Sequence, residues 1–474
     1  MKSRLLFYCL ILFNKTFSQE SSAFIVKPYL QVGSTPSIHS IQILWVTDVQ
    51  DHIWNVETKS KNDQKWRRAD PPQIMNLNQM NIKPRKLYIA TIINLEENQK
   101  FDYRIISDDR EVLRSTGQSI KSPNQSYRFT VIGDLGAGTH EQKTTAQQLK
   151  QANPDLVVIP GDIVYDRGLL SEYDTRFFNV YNAKKEDTGG IDLMGHIPFV
   201  PSTGNHDSET RNLDTFPDAL SYYTLWSLPL NGPRMTEGSA AVPKLIANET
   251  NRKAFIDAAG GRYPVMTNYS MDYGNAHFTF LDSNPYVDWT DKELQSWLAT
   301  DLQKSISATW HFVVFHHPGF NSSREHYEQQ HMRLLSPVFE KYQVDVVFTG
   351  HVHNYQRTYP LTFAPDHMGA LLLGGRNLNI PRGRIVNGLW HLDKKFDGKK
   401  NTTPKGVIYL ISGAGGKELY NPEQTNDPDT WQKFTCNYSA LEHSISIIDI
   451  DGNHFTCRQL SDAGKELDKF EIRK

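Results

Sequence analysis

The spacing of hydrophobic residues changes near residue 125 and divides the chain into two regions. In residues 23–122, short runs of β-branched and aromatic residues are separated by turn residues. This spacing lacks a helical period and predicts an all-β sandwich of about 100 residues. From residue 127 onward, continuous apolar runs alternate with segments of helical composition, which is typical of a buried, mainly parallel sheet. We therefore predict an all-β N-terminal sandwich, a linker at 122–126 and an α/β domain at 127–474.

The second region contains alternating predicted strands and helices. Apolar runs such as RFTVIGD, DLVVIPGD, WHFVVFHH and VDVVFTGH predict strands that end in polar residues. Helices are predicted in the segments EQKTTAQQLKQANP and DKELQSWLATDLQKS and near residues 330–342. Residues 207–269 show no clear period, and we interpret them as an insertion that shapes a substrate cleft.

Five of these segments carry chemically useful side chains at the end of a predicted strand. They are GDLG with Asp134, GDIVY with Asp162 and Tyr165, GNHD with Asn205, VVFHH with His316, and GHVH with His351 and His353. A single Gly-Asp pair after a strand is more often a turn or a helix cap. In open α/β sheets, however, the carboxyl ends of the strands are where ligands bind, and five such ends in one domain point to a shared site.

The residue types in these motifs indicate a metal site. Carboxylate, phenol, amide and imidazole groups without a thiolate suit hard to borderline metals. A free tyrosine has a pKa of about 10, so its binding as phenolate near neutral pH requires a strongly polarising cation such as Fe(III). In an extended chain, residues i and i+2 face the same side, so His351 and His353 are predicted to face one point. Each of the two histidines is then predicted to bind a different metal of a two-metal site.

The ordered series GDxG, GDxxY, GNHD, VxxH and GHxH resembles the purple acid phosphatases within the calcineurin-like metallophosphoesterases. The resemblance covers residues 129–357, and Tyr165 separates this family from most other metallophosphoesterases. It implies that the second domain is a metallophosphoesterase domain, a two-sheet sandwich flanked by helices. Residues 94–103 resemble fibronectin type III domains, although the usual turn proline is absent.

The resemblance also implies roles for individual residues. The implied Fe(III) ligands are Asp134, Tyr165 and His353, the ligands of a divalent metal (Zn, Fe or Mn) are Asn205, His316 and His351, and Asp162 bridges the two metals. His206 is implied to contact phosphate, and His326 is implied to assist protonation of the leaving group. Glu325 departs from the pattern of many plant members, which have a histidine at this position. His317 is expected to point away from the site and to be structural.

The implied function is that of a secreted acid phosphatase that hydrolyses phosphate monoesters with a metal-bound hydroxide. An alternative is a phosphodiesterase or nucleotide pyrophosphatase that uses the same centre, because the motifs say little about the rest of the substrate. An alternative of another class is an exported binding protein whose metal site is vestigial. Seven intact ligand positions argue against that alternative.

Charge and the N-terminal residues bear on partners and location. Lys plus Arg is 51 and Asp plus Glu is 53, so the net charge of −2 indicates no nucleic acid or anionic membrane as partner. Residues 1–18 have a basic start and a short apolar stretch, which predicts a signal peptide and a secreted or periplasmic protein. Small phosphorylated molecules are the substrates that the family resemblance implies. That stretch is too short to span a bilayer, which needs roughly 20 residues.

Two cysteines, Cys436 and Cys457, follow the predicted signal peptide and flank a predicted hairpin. In an oxidising compartment they are candidates for a disulfide. Two free buried thiols are the alternative. The sequence does not distinguish between the two.

Overall fold

The computed structural model describes residues 23–60, 63–184, 189–366 and 385–474. The predicted signal peptide at 1–18 lies outside the described residues. None of the helices in the described ranges is both long and apolar enough to cross a membrane.

Two four-stranded antiparallel sheets form the N-terminal region. Their strands are β1 (Val26–Gln31), β2 (Ile41–Thr47), β3 (Trp54–Ser60), β4 (Arg67–Arg68), β5 (Gln73–Leu77), β6 (Arg85–Ile92), β7 (Lys100–Ser107) and β8 (Arg110–Gln118). The strand orders are β1-β2-β6-β5 and β4-β3-β7-β8. In β7, buried residues alternate with half-buried or exposed ones, as expected for a strand with one face in the core. The predicted all-β N-terminal region is confirmed.

Two larger mixed sheets form the second region. Their strands, together with β17 and β18 of a separate two-stranded sheet, are β9 (Tyr127–Val131), β10 (Leu156–Pro160), β11 (Phe199–Ser202), β12 (Tyr269–Tyr273), β13 (Ala276–Phe280), β14 (Trp310–Val314), β15 (Val346–Thr349), β16 (Tyr355–Thr358), β17 (Leu361–Pro365), β18 (Gly388–Leu392), β19 (Ile408–Ser412), β20 (Thr435–Ser439), β21 (Ser444–Asp451), β22 (His454–Ser461) and β23 (Glu466–Arg473). One sheet has the order β11-β10-β9-β21-β22-β23 and the other β12-β13-β14-β15-β19-β16-β20. Strands β9–β11 are mutually parallel, as are β13, β14, β15 and β19.

The two larger sheets pack face to face through aromatic residues. The ring of Phe129 in β9 lies 5.3, 5.5 and 5.9 Å from the rings of Phe278, Phe312 and Phe348 on the facing sheet. All four side chains are fully buried. Because the parallel strands in both sheets are covered on both faces, they appear in the sequence as continuous apolar runs. This arrangement confirms the predicted α/β fold.

The helices lie between the strands of the second region along the chain. They are α1 (His140–Ala152), α2 (Leu170–Glu172), α3 (Asn179–Tyr181), α4 (Tyr222–Leu225), α5 (Glu249–Ala259), α6 (Lys292–Lys304) and α7 (Ser336–Lys341). The helix predicted near 330–342 is divided into a 3₁₀ turn, His331–Leu335, and α7, which has a proline in its first turn. The 207–269 insertion contains α5, which its sequence pattern did not indicate. This helix begins at the Asn248 cap and ends at Gly260 in the left-handed conformation.

The N-terminal sheets contact the second region through buried polar groups. Tyr29 donates a hydrogen bond from its hydroxyl to the carbonyl of Leu225 at 2.7 Å. Tyr103, which lies in the stretch that resembles fibronectin type III domains, donates to the carbonyl of Gly195 at 2.8 Å. Both tyrosines are buried, so these bonds fix the two regions against each other.

The two cysteines are both free thiols. Cys436 lies in β20 and Cys457 lies in β22, so they belong to different sheets. Of the two alternatives that the sequence left open, the structure has the unpaired one.

Candidate metal centre

The carboxyl ends of the parallel strands in both sheets meet at one edge of the sandwich. Asp134 and Asp162 follow β9 and β10 in the first sheet, and His316 and His351 follow β14 and β15 in the second. Single ligand atoms of Asp134, Asp162 and His316 all lie within 4.8 Å of one another. The seven predicted metal ligands form two groups at this edge, which we call the tyrosine group and the amide group.

The tyrosine group consists of Asp134, Tyr165 and His353. The hydroxyl of Tyr165 lies 3.1 Å from Asp134 Oδ1 and 3.2 Å from His353 Nε2. His353 Nε2 is also 3.5 Å from Asp134 Oδ1. His353 Nδ1 donates to the carbonyl of Glu418 at 2.8 Å, which leaves the lone pair of Nε2 directed at the other two groups.

The amide group consists of Asn205, Asp162, His316 and His351. Nε2 of His316 lies at its centre, 3.1 Å from Asn205 Oδ1, 3.3 Å from Asp162 Oδ1 and 3.2 Å from His351 Nδ1. Every one of these atoms is a possible metal ligand. The two groups adjoin each other, because Asp134 of the tyrosine group belongs to the same cluster of ligand atoms as Asp162 and His316 of the amide group.

In the amide group, a hydrogen bond to one nitrogen of each imidazole determines which ring nitrogen carries the proton. Nδ1 of His316 lies 2.8 Å from the carbonyl of Pro160, and Nε2 of His351 lies 2.8 Å from Gln329 Oε1. Both partners are acceptors, so these nitrogens carry the protons and the opposite nitrogens present lone pairs. Two imidazole lone pairs, one amide oxygen and one carboxylate oxygen therefore converge with no donor among them. Such a set fits a cation.

Burial and the neighbouring carboxylates shift the pKa values of Asp134 and His316. Burial, together with the neighbouring charge of Asp162, raises the pKa of Asp134 well above its usual range. Burial alone would lower the pKa of His316, but the charges of Asp162 and Asp134 outweigh it and raise this pKa to about 9. In the absence of a metal the site therefore attracts a proton to the position where the lone pairs converge.

Tyr165 is also protonated when no cation is bound. Complete burial and the charge of Asp134 raise its pKa well above the usual range. The hydroxyl then donates to Asp134. Binding as a phenolate thus requires a cation with a strong electrostatic effect.

Three of the predicted ligands have a left-handed backbone. The φ angles are 58° at Asp134, 49° at Asp162 and 66° at His351. For residues other than glycine this conformation costs on the order of 1 kcal/mol or more, and it is concentrated at functional sites. It directs each side chain out of the strand and towards the shared edge.

Two glycines allow the chain to approach the ligands closely. A Cβ at Gly204 would collide with the carboxylate of Asp162. A Cβ at Gly350 would lie 2.6 Å from Asp134 Oδ2. Because no side chain fits at either position, the glycines of the GNHD and GHVH motifs are required by packing around the site.

The two predicted catalytic histidines lie beside different groups. The ring of His206 is 4.5 Å from that of Tyr165, and its Nδ1 lies 2.8 Å from the carbonyl of Asp166. The ring of His326 is 4.0 Å from that of His351 in the amide group. Both histidines are half-buried, and the adjacent Glu325 is exposed.

His317 was expected to point away from the site, but its ring contacts a residue of the amide group. Its ring lies 4.3 Å from the ring of His351, while its Nδ1 is 3.0 Å from Ser283 Oγ. The side chain therefore packs against His351 and connects the segment after β14 to Ser283. We interpret this as a structural role.

Sequence reasoning did not assign a role to Asp207, although this residue closes the GNHD motif. Its carboxylate accepts hydrogen bonds from the backbone of Gly204 at 2.8 Å and of Ile163 at 3.1 Å. Burial and the charge of Asp162 raise its pKa to about 7. Asp207 thus joins the loops that carry Asn205 and Asp162.

The sequence also gave no indication that residues 416–421 border the site. Tyr420 stacks on His353 with ring centroids 4.1 Å apart and planes 15° from parallel. Lys417 places its ammonium 4.7 Å from the centre of the Tyr165 ring. The only local signal is the glycine-rich run at 413–416, which permits a sharp turn after β19.

The fold and the converging ligands of the second region are typical of a metallophosphoesterase domain. Residues 127–355 match the family model of the calcineurin-like phosphoesterases, and this part of the chain is a domain of that family. Within the class, the chain is a homologue of the purple acid phosphatases, as its motifs predicted. It is 27% identical over 277 residues to purple acid phosphatase 1 of Ipomoea batatas. The aligned residues cover 57% of this chain and 52% of that protein.

Other comparisons agree with this classification. The chain is 28% identical over 279 residues to the phosphoenolpyruvate phosphatase of Allium cepa, which covers 56% of this chain and 50% of that protein. The chain thus spans about half the length of these curated relatives. The solved structure of purple acid phosphatase PPD1 from Lupinus luteus has the same fold, with a TM-score of 0.65, 16% identity, and coverage of 94% of this chain and 74% of that one.

Proposed function

We propose that this protein is a dinuclear-metal acid phosphatase that hydrolyses phosphate monoesters. The observation that carries the proposal is the convergence of seven lone-pair donors in two adjacent groups. The tyrosine group would hold Fe(III) and the amide group a divalent Zn, Fe or Mn ion, with Asp162 bridging them. The homology to purple acid phosphatases supports the same assignment.

When bound, the two metals neutralise the charge of the phosphate and make a water molecule a better nucleophile near neutral pH. The remaining chemistry belongs to the side chains around them. His206, whose Nδ1 is held by the carbonyl of Asp166, has Nε2 available for a phosphate oxygen. His326 lies across the site beside His351 and is the group we assign to the leaving-group oxygen.

The proposal includes export, because residues 1–18 have the pattern of a signal peptide. It also includes small phosphorylated molecules as substrates. One relative is named phosphoenolpyruvate phosphatase, so this compound belongs in the first substrate panel.

Two measurements on the purified, metal-loaded protein test the function. Hydrolysis of nitrophenyl phosphate should greatly exceed that of bis(nitrophenyl) phosphate, and a preference for the diester would overturn the monoesterase assignment. A visible tyrosinate–Fe(III) absorption band should be present and should disappear in Tyr165→Phe. A colourless, fully loaded and active protein would show that the tyrosine group does not bind Fe(III).

Retained partner binding with no hydrolysis by loaded protein would instead favour the alternative of an exported binding protein. The vestigial-site hypothesis also predicts that metal binds weakly or not at all. Metal content after dialysis, measured by inductively coupled plasma mass spectrometry, separates this outcome from a substrate that was simply not in the panel.

A further inference from the structure

The backbone after β19 is hydrogen-bonded to two members of the tyrosine group. The N–H of Lys417 donates to the carbonyl of Asp134 at 3.2 Å, and the N–H of Tyr420 donates to the carbonyl of His353 at 3.0 Å. The carbonyl of Glu418 accepts from His353 Nδ1 at 2.8 Å. This short stretch of chain therefore lies directly against the predicted ligands.

The side chain of Lys417 faces the third member of the tyrosine group. Its ammonium lies 4.7 Å from the centre of the Tyr165 ring, and the residue is half-buried. A cation within about 6 Å of the centre of an aromatic ring is attracted to the electron-rich face of that ring. Among the residues that the structure describes, no carboxylate forms an ion pair with this ammonium. The charge is therefore directed at a predicted metal ligand, and the proposed hydrolysis does not use it.

Contacts on both sides of Lys417 restrain its backbone. Thr139 donates from its hydroxyl to the carbonyl of Gly416 at 2.7 Å, and Nε2 of His443 donates to the carbonyl of Lys417 at 3.0 Å. Gly416 packs so closely against helix α1 that a Cβ there would lie 2.7 Å from Cβ of Gln142. The fold thus holds the ammonium close to the ring.

We propose that Lys417 weakens the preference of the tyrosine group for Fe(III) over Fe(II) and so raises the reduction potential of iron bound there. The inference rests on the proposed function, which assigns iron to this group. Lys417 acts on the metal through the ring of Tyr165. It is therefore a positioning residue, and it takes no part in the hydrolysis itself.

Two electrostatic effects of the ammonium have the same sign. A nearby positive charge repels Fe(III) more strongly than Fe(II), because the energy is proportional to the product of the charges. The same charge attracts the electron density of the phenolate to the ring face, which makes Tyr165 a weaker donor to the metal. Since Fe(III) is stabilised more than Fe(II) by a strong anionic donor, both effects favour the reduced ion.

The colour of the loaded protein should report the same contact. In a tyrosinate–Fe(III) absorption band, an electron moves from the phenolate ring to the metal. The ammonium lies against the ring itself, whereas a metal binds the oxygen at the edge of the ring. Lys417 therefore stabilises the donating orbital more than the accepting one. Lys417→Met should move the band to longer wavelength, and Lys417→Arg, which keeps the charge, should leave it near the wild-type position.

Redox titration of protein loaded with one iron and one Zn²⁺ ion measures the potential directly. At a fixed ambient potential, the ratio of Fe(III) to Fe(II) should be at least about fivefold higher in Lys417→Met than in the wild-type protein. The ratio in Lys417→Arg should stay within about twofold of the wild-type value. An unchanged ratio in Lys417→Met would overturn the proposal, as would an arginine variant that behaves like the methionine variant.

Lys394→Met is the matched control. The ammonium of Lys394 lies 5.5 Å from the centre of the Tyr359 ring, which is a contact of the same kind outside the two ligand groups. This variant should leave the absorption band and the ratio of Fe(III) to Fe(II) unchanged. Equal shifts in the two methionine variants would show that the loss of any cation produces the effect, and the proposal would then be wrong.

Unfolding of the metal-free protein in urea tests the contact between Lys417 and Tyr165 without any metal. In a double-mutant cycle of Lys417→Met and Tyr165→Leu, the effects on the unfolding equilibrium constant should depart from additivity by at least about threefold. Additive effects would overturn the contact.

The same samples distinguish failure of this inference from failure of the proposed function. If the wild-type protein shows the absorption band but hydrolyses no ester, the proposed function fails, while the band and the potential still test Lys417. If the protein takes up no iron, the iron assignment and the role of Lys417 at the metal are both overturned.

Discussion

His351 and His353, separated by one residue, direct different ring nitrogens at different groups. His351 presents Nδ1 to His316 at 3.2 Å, whereas His353 presents Nε2 to Tyr165 at 3.2 Å. Both histidines follow β15 rather than lie in it, and His351 has a φ of 66°. The extended chain assumed from the sequence is therefore wrong for this segment. The left-handed turn allows the two rings to lie in different groups, His351 in the amide group and His353 in the tyrosine group.

Asp207→Asn should destabilise the protein and weaken its metal site. The asparagine would present an NH₂ to one of two buried backbone donors, Gly204 and Ile163, and such an unsatisfied pair costs about 1–3 kcal/mol. Urea unfolding of the metal-free protein measures this loss. The exposed Asp109→Asn is the matched control, and equal stability of the two variants would contradict the role of Asp207.

Gly204→Ala should abolish metal binding in the amide group, because its Cβ would collide with the carboxylate of Asp162. Metal content after dialysis and hydrolysis of nitrophenyl phosphate both measure the effect. Gly452→Ala is a useful control, since its backbone has a φ of 57° but no heavy atom lies within 4 Å of the new Cβ. We expect that variant to keep full activity and to lose only about 1 kcal/mol of stability.

His277 should make stability depend on alkaline pH. Burial alone would lower its pKa, but hydrogen bonds to Asp272 at 2.7 Å and Asp301 at 3.1 Å raise it to about 9. Since the pKa is higher in the folded state, the stabilisation is complete below about pH 6.5 and is lost as the pH rises through 9. We expect protonated His277 to contribute about 2 kcal/mol to the free energy of unfolding, because solvent screens the charge of the exposed Asp272.

The comparison of His277→Gln with the wild-type protein isolates this contribution. The difference in unfolding free energy between the two proteins should be large at pH 6 and close to zero at pH 10. A difference that stays constant across this range would show that the imidazole charge does not contribute.

Tyr103→Phe should weaken the contact between the N-terminal sheets and the second region. The substitution removes the hydrogen bond to Gly195 and leaves a buried carbonyl without its partner, at a cost of about 1–2 kcal/mol. Limited proteolysis should release the N-terminal region more readily. Unchanged proteolysis together with unchanged stability would mean that the apolar contacts alone hold the two regions together.

The locally encoded parts of the fold were predictable from the sequence. Buried parallel strands need continuous apolar runs, and their carboxyl ends meet at one edge regardless of the sequence and length of the loops. The helix α6 was likewise clear, because Leu294, Leu298 and Leu302 recur with a helical period. Helix α5 was missed, since most of its buried positions are small or polar and produce only a weak apolar stripe.

The sequence by itself determined the two regions, the strand ends and the kinds of ligand that the site contains, because each depends on residues that are close together in the chain. Only the tertiary structure decided which ring nitrogen each histidine presents and which hydrogen bonds hold the rings in place. It also brought Tyr420 onto His353 and placed Gln329 between His351 and His326. The contacts of His353 with Tyr420 and of Gln329 with His351 join different segments of the chain. They depend on packing, left-handed backbone angles and hydrogen-bond direction, none of which a local pattern contains.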